Sequence, residues 1–244
     1  MEKMKKLFGM FLTLCLIFSF STTAFASSVD EREVPVASAD FKRVCDQVFE
    51  GKGEVYNANG IDITNSFLTR YNAIYQSGNY DAILSGCFKE GISQLTWHKN
   101  IVPDVTTRTV LHPQYEESVV HLVKQNGFPY DGKSWYLVVT ATGSYGYQDS
   151  TNEIIDFPSP TINVSFSDLG ALFSGSLDSI RTTKPAINSN KTSASFTVTT
   201  THTVSCPIPG VDYVTGTLGP FTNVSNFTIE VWRNNCNCFS ENGF

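Results

Sequence analysis

Positive charge is scarce in this 244-residue chain, where 17 lysines and arginines stand against 23 acids. Setting aside Lys3, Lys5, Lys6 and Glu2 of the first 26 residues leaves 14 basic against 22 acidic residues, a net charge of −8. A nucleic-acid partner is not expected, because phosphate binding needs a basic surface. Long apolar runs are as scarce. The one present, Leu7 to Phe20, is about 14 residues long, against the roughly 20 that a helix needs to cross a bilayer. No stable membrane insertion is therefore expected.

Catalytic signatures are missing too. The chain has no Gly-X-Ser-X-Gly elbow, no His-Glu-X-X-His, no Walker loop and no dinucleotide-binding Gly-X-Gly-X-X-Gly. Gly143-Ser144-Tyr145-Gly146 lies inside a strand pattern, where glycines mark a bulge or a close backbone approach. A thiol enzyme would have Cys87 as nucleophile and His98 or His112 as base, but Cys87 has a nearer use as a disulfide partner. Glu116, Glu117, Asp149, Glu153 and Asp156 could supply a glycosidase carboxylate pair, yet each reads more simply as a solvated loop or strand-edge charge. The expectation is no enzyme and no cofactor.

What is present begins with a secretory signal. Lysines precede the apolar run, and Ala24-Phe25-Ala26 offers small residues at −1 and −3, so cleavage after Ala26 is expected. The product is expected outside the cell or at its envelope. The signal is of bacterial style, so the Asn-X-Ser/Thr triplets at Asn163, Asn190, Asn223 and Asn226 are not read as glycans. Residues 27–37 read as a flexible leader.

A composition of 41% hydrophobic and 13% aromatic residues is that of a folded chain. Phe41, Val44, Cys45, Val48 and Phe49 recur at helical spacing and stop at Gly51 and Gly53. Phe67, Leu68, Tyr71, Ile74 and Tyr75 do the same from Thr64 to about Gln76, with Asp62 or Thr64 as cap and Gly78 as stop. Residues 38–100 read as a small helical unit. Beyond Asn100, β-branched residues and alternation take over: Glu117 to Lys124, Trp135 to Tyr147, Glu153 to Phe157, Ile162 to Phe166, Phe196 to Val204 and Phe227 to Val231. Short strands spaced by turn residues over 110–236 predict a mainly β fold, an immunoglobulin-like β-sandwich, with 237–244 as a tail.

Five cysteines follow the signal segment. In an exported chain bridges are the default. Cys45 with Cys87 and Cys206 with Cys236 or Cys238 are the expected pairs, which leaves an odd thiol and with it a disulfide-linked dimer. The same region holds a weaker metal alternative, since His202, Cys206, Cys236 and Cys238 have the ligand number of a zinc site.

The function expected is non-enzymatic binding or structure outside the cell, toward a protein or carbohydrate ligand. Tyr136, Trp232 and Trp97 are the candidate platform, because rings outside the core serve recognition. A membrane-acting toxin is the alternative, on the Ser/Thr-rich alternation from Ser189 to Ser205. A secreted hydrolase is the third reading.

Overall fold

The computed structural model describes residues 36–101, 110–125, 134–167, 174–207 and 214–231. The expected signal segment, most of the leader, Trp232, Cys236, Cys238 and the tail lie outside the described residues. Over the described residues the fold is mainly β, with three helices and several antiparallel sheets.

Helix α1 (Ala39–Phe49) starts where Ser38 Oγ accepts the Phe41 N–H at 3.2 Å, and it buries Phe41, Val44, Cys45 and Val48. Strand β1 (Gly53–Asn57) follows. Helix α2 (Thr64–Gln76) begins beside Asp62, whose Oδ1 accepts the Thr64 N–H at 2.8 Å. Asn79 caps α3 (Tyr80–Glu90), and Gly91 ends it in the left-handed conformation with φ 68°. Strand β2 (Ile92–Ile101) then runs antiparallel to β1, with Gly53 opposite Trp97. Residues 38–100 thus contain two strands besides their helices, which the helical reading passed over. In β2 the buried Leu95 and Trp97 alternate with Gln94, Thr96 and His98, too short a run to stand out behind three helices.

Strands β3 (Val110–Leu111), β4 (Gln114–Lys124), β5 (Ser134–Ser144), β6 (Gly146–Gln148), β7 (Glu153–Asp156) and β8 (Thr161–Phe166) follow. The first sheet has the order β1-β2-β4-β5-β8, and β3-β6-β7 form a small sheet beside it. The long strand expected from Trp135 to Tyr147 is interrupted at Tyr145, whose N–H donates to the Pro113 carbonyl. Gly143 marks a close approach: a Cβ there would sit 2.7 Å from the Tyr115 hydroxyl oxygen. Strands β9 (Ser174–Thr182), β10 (Ala186–Ile187), β11 (Ser193–Pro207) and β12 (Thr215–Glu230) make the second sheet. β11 is its central strand, paired with β12 on one side and with β9 and β10 on the other. The Ser/Thr-rich segment read as a membrane hairpin is this central strand.

Each sheet takes its strands in chain order, and no described strand enters the other sheet. The interleaved strand order of an immunoglobulin-like sandwich is therefore absent from the described pairings. Instead the first sheet is the middle of three layers. On one face Leu95, Trp97, Val120, Tyr136 and Val138 pack against Phe41, Val44, Val48 and Leu84 of the helices. On the other, Val119, Leu137, Val139 and Ala141 meet Phe196, Val198, Phe227 and Ile229 of the second sheet. Coverage on both faces explains why Tyr136 to Val139 is a continuous apolar run rather than an alternation.

Candidate functional site

The second sheet does not cover the first completely. Its core contacts come from β4, β5 and β8, and none from β1 or β2. Val55, Leu95 and Trp97 point to the helices, so their neighbours Glu54, Tyr56, Gln94, Thr96 and His98 occupy the opposite face of an uncovered two-strand margin. These residues floor an open cleft of about 840 Å³, walled by Asn226, Thr228 and Glu230 of β12. Beyond His98 and Glu54 a second depression of about 500 Å³ reaches Asp62, Thr64 and Asn65.

Glu117 sits in the corner where floor meets wall. Its side chain is 5% exposed, and its Oε1 lies 3.1 Å from His98 Nδ1, the residue directly opposite on β2. Its Oε2 is buried with no hydrogen-bond partner. Burial pushes the Glu117 carboxyl up, against the opposing pull of His98 and of the Thr228 backbone N–H. The hydrogen bond to Glu117 holds the His98 imidazole above its ordinary value, against partial desolvation. The two therefore titrate as a pair and hold a proton between them more tightly than either would in water. On the floor Tyr56 donates its hydroxyl to Glu54 Oε2, and that bond raises the Tyr56 phenol to about 12. Among the described residues, three carboxylates thus line a space whose one titratable cation is His98. Comparison with family models, curated proteins and solved structures finds no match for this chain.

The residues singled out in the sequence fall elsewhere. Tyr136 is completely buried: its hydroxyl accepts the Ser38 N–H at 2.7 Å and donates to the Val36 carbonyl at 3.1 Å. Trp97 is 3% exposed, with the Arg43 guanidinium 5.2 Å from its ring centroid. Neither forms a surface platform, because the helical layer covers the face on which both lie. Trp232 lies outside the described residues.

Cys45 and Cys87 are free thiols buried in the helical-layer core, and burial pushes the Cys45 thiol up to about 12. The expected bridge is not formed here. Cys87 is raised for the same reason and faces away from His98, which is on the other side of the sheet, so these two do not pair. Cys206 is buried at the end of β11 opposite Gly216, and its expected partners Cys236 and Cys238 lie outside the described residues.

The zinc alternative fails on spacing. His202 and Cys206 are four residues apart on one strand, which separates them by roughly 13 Å, while two ligands of one zinc lie within about 4 Å of each other. The His202 ring is also engaged: Nε2 accepts the Trp135 indole N–H at 3.1 Å, and Nδ1 faces the Asn223 amide at 3.3 Å. Among the described residues no three His, Cys, Asp or Glu side chains are grouped for a metal.

In the sequence Glu117 reads as a solvated charge and His98 as a base for Cys87. A signal was there. Glu117 is in phase with Val119 and His121 on the inward face of its strand, where a carboxylate breaks the pattern of apolar positions. Glu54 and Glu230 carry no comparable signal, since only the meeting of β1 with β12 brings them together.

Proposed function

We propose that the protein is an exported, non-enzymatic recognition domain, acting at the cell envelope or outside the cell, whose ligand occupies the cleft between β1, β2 and β12. The observation that carries this reading is Glu117: a nearly buried carboxylate with one oxygen unfilled, facing a polar cleft within the size range of ligand sites. The flanking polar groups belong to strands rather than loops, so the cleft is pre-formed. No described helix is long and apolar enough to cross a membrane.

A thermal-shift series tests this with four probes of different chemistry: agmatine, spermidine, chitotriose and citrate. At least one should raise the melting temperature of the wild type and lose that effect in Gln94→Trp, which fills the cleft. If none stabilises the wild type, or if Gln94→Trp responds equally, the reading falls.

A secreted glycoside hydrolase is a second reading, favoured by one specific feature. Glu117, whose carboxyl burial raises above its ordinary value, shares its cleft with Glu54 and Glu230, the kind of carboxylate set that serves as acid and base. Release of p-nitrophenol from aryl glycosides, abolished in Glu117→Gln, would establish it, and no release across a sugar panel would remove it.

A further inference from the structure

We infer that the occupant of the cleft is an extended basic peptide, its main chain running along the outer edge of β12 and an arginine or lysine side chain meeting Glu117 Oε2. This rests on the recognition reading above and names its partner. Two independent features of the cleft converge on it.

The first is charge. Among the described residues, Glu54, Glu117 and Glu230 line the cleft against His98 alone. An acidic group of this kind would by itself be an ordinary solvated surface. Here one member is almost wholly buried, turned into the cleft, and lacks a partner for one oxygen. His98 already fills Oε1, so the vacant acceptor calls for a donor from outside. A cationic donor makes the stronger, shorter bond to a carboxylate, and a guanidinium can span two acceptors at once. Glu230 stands on the same wall to share it. The acidic balance of the whole chain, 23 acids against 17 bases, steers a basic ligand toward it.

The second is the strand edge. β12 ends its sheet, so one of its sides has no strand partner among the described residues. Asn226, Thr228 and Glu230 stand along this side at every second position; the Thr228 N–H is turned to Glu117 and the Glu230 carbonyl receives the Tyr145 hydroxyl at 3.5 Å, so the stretch of edge left for a ligand is centred on Asn226. An extended chain pairs with such an edge through its own backbone, while alternate side chains enter the adjoining cleft. The uncovered margin formed by β1 and β2 is two strands wide, about 9.5 Å, which leaves room for one further strand stacked upon it. A polyamine would meet the carboxylates but leave the edge unused.

Isothermal titration of the full exported chain at physiological salt tests this. The probes are acetyl-Thr-Arg-Thr-Arg-Thr-amide, the same peptide with citrulline in place of both arginines, and agmatine, which carries a guanidinium without a peptide main chain. The arginine peptide should bind. The citrulline peptide should bind at least about tenfold more weakly, and Glu117→Gln should weaken the arginine peptide by a similar factor. Glu230→Gln changes an exposed side chain and should weaken it to a lesser degree, so the test survives if Glu117→Gln misfolds. Asp149→Asn, which removes an exposed carboxylate outside the cleft lining, should leave affinity unchanged.

Equal binding of the citrulline peptide overturns the inference, as does equal weakening by Asp149→Asn, which would mean bulk charge attraction. Agmatine binding as tightly as the peptide overturns the main-chain pairing. Failure of the arginine peptide overturns the whole inference, yet the recognition reading stands if any of its four probes still requires an open cleft.

Discussion

His98 and His121 lie on the same face of the first sheet, on neighbouring strands, and have opposite fates. His121 is under the second sheet, its Nε2 2.7 Å from Ser225 Oγ, and burial followed by the nearby His202 pushes its imidazole down to about 4. His98 is on the uncovered margin, paired with Glu117, and is held above its ordinary value. The face is the same; the cover differs. Where the second sheet lies on top, charge is expelled and neutral partners remain. Where it stops, a carboxylate and an imidazole hold charge beside a cleft. The boundary between packing and chemistry in this molecule is thus the outer edge of β12.

That contrast can be broken most forcefully from the covered side. Leu137→Ala, deep between the sheets, should cost about 2–5 kcal/mol in denaturant unfolding. A cost below 1 kcal/mol would mean that the sheets do not close over β5.

Next in size is the acid response. A buried histidine with a lowered value leaves stability intact above about 6.5 and loses it as the pH falls toward 4, because the unfolded chain takes up the proton first. The loss over that window is about 3 kcal/mol. Urea melts at pH 7 and pH 4.5 should show it, and His121→Gln should flatten it. An unchanged slope in His121→Gln would place the acid response elsewhere.

His98 should behave in the reverse sense. Its raised value contributes stability that is complete below about 6.5 and disappears as the pH rises through the folded value. The side chain is 46% exposed, so solvent screening keeps the effect in the range of roughly 0–1 kcal/mol. The difference between wild type and His98→Gln should therefore be largest in acid and shrink with rising pH; growth with pH would contradict the pairing. The smallest effect belongs to Gln94→Ala on the cleft floor, within about 0.5 kcal/mol of wild type by the same melts.

Much of this architecture was legible in local pattern. The helical spacing of Phe41, Val44, Cys45 and Val48 gave α1, and alternation gave β5 and β11. The cover was not legible. Alternation around Tyr136 points its ring outward, but alternation says which residues share a face and not what lies on it. A mostly apolar run from Trp135 to Val139 was the available sign that both faces are buried. The site was harder still, because it depends on register. His98 stands opposite Glu117 only when β2 and β4 align as they do, and a slip of one residue would put Lys99 there.

The three-layer arrangement also has a consequence in time. The apolar face of α1 packs on Tyr136, whose hydroxyl receives the N–H of Ser38, 98 residues earlier in the chain. A ribosome adding about 5–20 residues per second delivers that partner roughly 5–20 s after the helix has emerged. Through that interval Phe41, Val44 and Val48 have only the earlier-made β1, β2 and β4 of the middle sheet to rest on. The first helix to be made is therefore housed in stages, beginning with β1 and β2 and completed only when β5 brings Tyr136.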